Sequence, residues 1–458
     1  MNRGQVCSVL ALLLMILLAG VHSAGAYSVL THEQIIDLAW KDAIRPALLA
    51  RYPNATEAEL REAHAYAYGG CVIQDSGYYP FGHEFFSNLT HYVRTGDFVA
   101  SLIRNARNID ELAFALGALS HYVGDSVGHH DAVNPSTAIE FPNLEAKYGP
   151  IVTYDESPHG HVRTEFAFDI DQLSKRRIAP SAYWKHVGLM VPVRLLEQSF
   201  YETYGLRLRT MQVNQRAAVA TYRWSVRSFL PTVAYGEVVL HRNDFPADTP
   251  GPEFDLYKER LAQADFNNGW EQYRKKAGIG TYVIAGLIVI LPKIGPLSDL
   301  AIRGPEAATE ERYVESVNRS VDWYEALLTA LAKDPYAPPS RTLNLENLDL
   351  DTGAKVRPGA YALTDATYAE LLDRIVSLRD PIPATIKHDI EDYYSDPSAP
   401  ITTKKHKRAW RRVQQQLTVL ESMPVYTQAS GCWIAPGSVS LDKDCHAIPS
   451  VQPRTQPE

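Results

Sequence analysis

The chain has 458 residues, of which 53 are acidic and 45 basic, for a formal net charge of −8. That balance argues against a general nucleic-acid binder, which presents a strongly basic face, and 4 cysteines in this length exclude a disulfide-stapled scaffold. The length suffices for a large core in one big domain or two.

Residues 1–26 read as an export leader. Arg3 gives a positive start, "VLALLLMILLAGV" is an apolar stretch too short for a comfortable membrane span, and "AGA" at 24–26 has the small-x-small pattern of a cleavage site. Cleavage after Ala26 makes Tyr27 the first residue. It removes the one charge on Arg3, so the formal charge moves from −8 to −9, and it leaves Cys71, Cys432 and Cys445. Cys432 and Cys445 could bridge each other, and Cys71 is odd. The expected location is secreted or periplasmic.

Helical patterns follow. "THEQIIDLAWKDAIRPALLARY" carries Ile35, Ile36, Leu38, Ala39 and Ala43 at near-helical spacing, running to Pro46 or beyond. "NATEAELREAHAYAYGG" opens on a cap and closes on two glycines. "NIDELAFALGALSHYV" has Asp110 and Glu111 in its first turn, where the helix dipole favours them. Residues 186–235 and 308–334 read as helices again. "TLNLENLDLDTG" reads as a short extended piece whose acids lack calcium-loop spacing, so no metal is assigned to it. The last thirty or so residues read as loop or tail.

Histidine carries the functional signal: nine of 15 fall between His32 and His161. His121, Asp125 and His129 stand at i, i+4 and i+8, and each step of four advances a helix by about 40°, so the three share one face. Imidazole with carboxylate is a zinc ligand set. The plainer alternative is a solvated face or a satisfied core histidine; the apolar lead-in 117–119 argues against a solvent face. His161 and Glu165 repeat the i, i+4 geometry, while His159 follows Pro158 ahead of the helix. Asp75 is followed by His83 and His91, and His32 lies five residues after Tyr27.

The order of these residues resembles the zinc-dependent phospholipase C family and the related trinuclear-zinc nucleases, over 27–169. Both are all-helical and hold three zinc ions in a cleft. The resemblance implies an all-α, multi-helix bundle over 27–335 with a metal cleft, followed by a 336–458 extension of unknown role. The implied ligands are Tyr27, by its own amine and carbonyl, His32, Asp75, His91, His121, Asp125, His129, His161 and Glu165. Asp125 would bridge two zincs, with Asp75, His91 and His121 completing one, and Tyr27 and His32 the other. His129, His161 and Glu165 would hold the third. Asp75 is also assigned the orientation or deprotonation of the attacking water. Three features depart from the family pattern. Tyr27 stands where the families have Trp, tolerable because backbone atoms ligate. The step from Asp125 to the next histidine is short, leaving His129 and His130 as competitors, with His129 favoured on the helix face. His83 competes with His91, favoured by its spacing of sixteen from Asp75.

The expected function is therefore an exported phosphodiesterase with two or three Zn2+ ions, foremost a phospholipase C acting on phospholipid headgroups. The alternatives are a single-strand nuclease of the related family and a non-catalytic, zinc-stabilised surface protein. The substrate is a phospholipid or other phosphodiester, and no stable nucleic-acid partner is expected. The uncharged stretch 277–291 fits a buried core helix best and a membrane-surface contact second. The basic run 404–412 fits a solvated helix face.

Overall fold

The computed structural model describes residues 28–208, 215–241, 245–274 and 304–426. The export leader at 1–26, Tyr27, the 277–291 stretch, Cys432, Cys445 and the tail lie outside the described residues. The architecture is all-α, as expected. In chain order the helices are α1 (Val29–Ala39), α2 (Arg45–Arg51), α3 (Glu57–Gly70), α4 (Glu84–Tyr92), α5 (Thr95–Asn105), α6 (Ile109–Gly128), α7 (Asn134–Glu140), α8 (Pro142–Tyr148) and α9 (Pro158–Ser174). They continue with α10 (Ser181–Val187), α11 (Val193–Tyr204), α12 (Gln215–Trp224), α13 (Leu230–His241), α14 (Pro252–Asn268), α15 (Ala307–Lys333), α16 (Ala362–Leu378), α17 (Ala384–Tyr393) and α18 (Lys407–Ser422). Among the described residues, strand pairing amounts to a parallel contact of Ile382–Pro383 with Val425–Tyr426 and one isolated bridge between Leu348 and Lys355. Among them, too, no helix is long and apolar enough to cross a membrane.

The axis of the bundle is α6. Asn108 caps it by accepting from the Glu111 amide at 2.8 Å, and every residue from Leu112 to Gly128 is buried. Helix α3, started by a reciprocal capping box between Thr56 and Glu59, lies against it, and α15 and α5 cover other sides. Gly70 and Gly117 set the α3–α6 distance: a Cβ on Gly117 would sit 2.2 Å from the Ala67 carbonyl oxygen and 2.9 Å from the Cys71 amide. No other residue permits so close a crossing. Cys71, buried and free, follows the crossing immediately.

Among the described residues, five-residue π turns continue three helices past their α-helical ends: Trp40–Ile44 joins α1 to α2 ahead of Pro46, His129–Val133 joins α6 to α7 ahead of Pro135, and Ser225–Phe229 joins α12 to α13 ahead of Pro231. Wide turns of this kind occur often at functional sites, and the second begins on a candidate ligand. The 404–412 run covers the start of α18 and is mostly exposed, with Arg412 paired to Asp373. It is a solvated face, as the sequence suggests.

Candidate metal centre

Six elements deliver eight of the nine expected ligands to one buried region. His32 comes from α1, Asp75 from the 3-10 turn Gln74–Tyr78, and His91 from the last turn of α4. His121 and Asp125 lie on α6, His129 on the π turn that prolongs it, and His161 and Glu165 on α9. None is more than 4% exposed. Their donor atoms form three groups, each within 4.8 Å: His32, His121 and Asp125; Asp75, His91 and His121; and His129, His161 and Glu165. Tyr27, the ninth, lies outside the described residues.

The two oxygens of Asp125 face different groups. Oδ1 lies 3.1 Å from His32 Nε2, whereas Oδ2 lies 3.1 Å from His121 Nε2 and 3.2 Å from His91 Nε2. Asp75 Oδ1 completes that side, 3.3 Å from His91 Nε2 and 3.9 Å from His121 Nε2. In the third group, Glu165 Oε1 is 2.9 Å from His161 Nε2 and 3.6 Å from His129 Nε2. Geometry also separates the competing histidines. His130 is exposed, its Nδ1 3.2 Å from the Thr352 carbonyl. His83 is half-buried and caps α4, its Nδ1 accepting from the Phe85 amide. His159 is exposed on the first turn of α9.

A divalent cation fits this donor set. His91, His121 and His129 each place Nδ1 on a carbonyl oxygen, those of Ser87 at 2.7 Å, Cys71 at 3.0 Å and Leu350 at 2.7 Å. A carbonyl only accepts, so each Nδ1 bears the hydrogen and each Nε2 aims a lone pair into the cluster, the arrangement of metal-bound imidazoles. The Nε2 atoms of His91 and His121 are 3.3 Å apart, and a cation between them relieves the repulsion of their lone pairs. Both Asp125 oxygens, Asp75 Oδ1, Glu165 Oε1, His129 Nε2 and His161 Nε2 are buried without a hydrogen bond, which buried polar atoms rarely tolerate.

The electrostatics differ between the groups. Burial works against charge on Asp125, but His121, then His32 and His91, outweigh it and hold the carboxyl well below its usual range. In the third group, burial first, then Asp125 and Asp75, push Glu165 well above the carboxylate range. Burial and then His129 push His161 well below the usual imidazole value. A neutral imidazole and a carboxylate short of positive charge are what a divalent ion accepts and balances.

Two further contributors stand behind the ligands. Asp169, one helical turn beyond Glu165, accepts from the Leu30 amide at 2.9 Å, the Thr31 amide at 3.0 Å and the Thr31 hydroxyl at 2.6 Å. It pins the start of α1, and so His32, to α9; burial pushes its carboxyl up to about 6. Its spacing extends the His161–Glu165 stripe, a signal present in the sequence. The other contributor is the 347–356 segment, whose Leu350 carbonyl receives His129. A backbone acceptor leaves no trace in residue identity, and "TLNLENLDLDTG" reads as a short extended piece with an acidic character.

Residues 31–212 match the family model described as zinc dependent phospholipase C. Over that segment the chain is similar to the zinc-dependent phospholipase C family. All eight described ligand candidates fall inside the matched segment, so the family's zinc chemistry and these donor groups coincide in sequence and in space. No curated protein and no solved structure matches the chain. Asp169 also lies within the matched segment, whereas Leu350 lies well beyond it.

The extra segment brings its own pH dependence. Burial first, then the charge of Asp351, push the Asp349 carboxyl up to about 8. Its unfolded value is about 3.9, so the folded chain keeps a proton that the unfolded chain releases. The stability from this proton is full below about pH 4 and is lost as pH rises through about 8. Asp349→Asn, which cannot ionise, is expected to narrow the difference in melting temperature between about pH 5 and about pH 8. An equally wide difference in the variant would assign the pH dependence to other groups.

Proposed function

We propose that this protein is an exported zinc-dependent phosphodiesterase that acts as a phospholipase C on phospholipid headgroups, its export leader being removed after Ala26. The observation that carries this reading is the set of three adjoining donor groups, two of them sharing His121 and straddled by Asp125. A structural zinc site is closed by four protein ligands, whereas His129, His161 and Glu165 offer three, which leaves a position for water or substrate. Zinc bound there supplies Lewis acidity for the phosphate oxygens and lowers the pKa of a bound water to around 7.

The chain's own residues divide the remaining work. Asp75, with Oδ1 buried and without a hydrogen bond, would orient the attacking water or take its proton. The carbonyls of Ser87, Cys71 and Leu350 keep three imidazoles in the tautomer that ligates and fix their rings. Asp169 holds the start of α1, and with it His32.

The test uses the chain starting at Tyr27 with zinc restored, assayed side by side on phosphatidylcholine and single-stranded DNA, with bound zinc counted by elemental analysis. Chelator-sensitive release of phosphorylated headgroup with two or three zincs per chain is the expected result. Cleavage of DNA alone would move the protein to the nuclease branch. One zinc or none, with neither substrate cleaved, would leave a structural or relic site.

A further inference from the structure

We propose that the 347–356 segment, beyond the part of the chain that matches the family, is a brace of the metal centre, and that Asp351 is a positioning residue that sets the orientation and donor strength of His129. This rests on the reading of the centre as a zinc site.

The brace is built from a short hairpin. The Asp349 amide donates to the Ala354 carbonyl at 2.8 Å, the Val356 amide to the Asn347 carbonyl at 3.0 Å, and Leu348 bridges Lys355. Gly353 closes the turn at φ 68°, where a Cβ would meet the Ser126 carbonyl oxygen at 2.4 Å, so the turn lies directly on α6. The hairpin is fastened on its other side as well. Thr95 Oγ1 bonds both the carbonyl and the amide of Leu348, at 2.7 and 2.9 Å, and the Asp97 amide donates to Asn347 Oδ1 at 3.1 Å.

Leu350 spends both of its backbone polar groups on ligand-bearing residues. Its amide donates to the His91 carbonyl at 3.0 Å, and its carbonyl accepts from His129 Nδ1 at 2.7 Å. One residue thereby ties the group of Asp75, His91 and His121 to the group of His129, His161 and Glu165. Asp351 follows, 3% exposed, with Oδ1 3.7 Å from His129 Nδ1. Its Oδ2 accepts from the hydroxyls of Tyr92 at 2.8 Å and Tyr361 at 2.7 Å, and its carbonyl accepts from Asn134 Nδ2 at 2.7 Å. Among the described residues no lysine or arginine pairs with Asp351. A buried carboxylate without a cation is costly, and the positive charge within reach would be that of the metal ion that His129 helps to hold. The His129 N–H is taken by the Leu350 carbonyl at 2.7 Å, and the Asp351 carboxylate, 3.7 Å away, acts on the same N–H through its charge; loss of an outer-shell partner of a ligating imidazole typically weakens metal binding about 10–100-fold.

The experiment is a zinc titration of the full chain against a competing chelator, with the visible spectrum of the cobalt-substituted protein as a second readout. Asp351→Asn removes the charge beside the His129 N–H. It is expected to weaken one equivalent of zinc by about 10–100-fold, leave the others at wild-type affinity, and shift the cobalt bands. Asp351→Glu, which restores the charge, recovers part of the loss. Asp349→Asn, in the same hairpin and bonded to Thr364 instead of a ligand, leaves zinc and cobalt signals unchanged. Tyr361→Phe removes one hydrogen bond from Asp351 and gives a smaller loss in the same equivalent; it substitutes for Asp351→Asn if that variant does not fold. Wild-type zinc affinity and cobalt spectrum in the tested variant would overturn the brace while leaving the phosphodiesterase reading intact. A wild-type chain that binds no zinc would overturn both.

Discussion

Asp125→Asn is expected to lower phosphodiester hydrolysis by at least about 10³-fold, equivalent to about 4 kcal/mol of transition-state stabilisation, and to release two zinc ions. Two is the informative number. Oδ1 of Asp125 serves the side of His32, and Oδ2 serves His91 and His121, all at 3.1–3.2 Å. An asparagine keeps one oxygen and turns an N–H donor to the other side, so one group loses its carboxylate ligand and the other loses the charge that made it bind. The change is nearly isosteric, and the fold is expected to survive with an unaltered far-UV circular dichroism spectrum. Zinc counting beside the activity assay decides the matter: a folded variant with full zinc content would mean that Asp125 does not join the two groups.

Gly117→Ala is the second large effect, and it acts at a distance. The added methyl would lie 2.2 Å from the Ala67 carbonyl and 2.9 Å from the Cys71 amide, both backbone atoms that cannot swing away. Helices α3 and α6 must part. The expected cost is about 2–4 kcal/mol, as for overpacking against rigid neighbours, seen in a chain of this size as a melting temperature lower by about 2–4 °C. The same displacement draws the Cys71 carbonyl away from His121 Nδ1, now at 3.0 Å, so zinc affinity falls together with stability. Calorimetry and zinc titration of one sample test both. A variant that melts with the wild type would show that the helices slide past each other freely.

Much of the site was legible because helices place residues by arithmetic. His121 with Asp125, and His161 with Glu165, stand four apart and do share helix faces. His129 over His130 followed from continuing the same face, which the π turn preserves for one more residue. The choice of His91 over His83 came from spacing alone, and the structure gives the reason for the difference: His83 is spent as the cap of α4. The remainder was hidden for physical reasons. Asp169 continues the His161–Glu165 stripe, but its partners, backbone amides 138 and 139 positions away, are encoded by no local pattern. Leu350 acts through its own backbone, so any residue there would read alike. The α3–α6 crossing depends on two glycines that the sequence suggests as a helix end and a small residue, not as partners.

The hydrogen bond between His129 and Leu350 spans 221 positions, and that number is also an interval of time. At the usual pace of synthesis, about 5–20 residues per second, Leu350 follows His129 out of the ribosome by roughly 10–40 s. From Glu165 onwards in that interval, every candidate ligand already exists on the chain, while the residue that joins two of the groups does not. An ion met early would find imidazoles free to turn; one met after 347–356 has docked would find them fixed. The order in which the chain is made therefore separates the capacity to bind metal from the capacity to hold it in one arrangement.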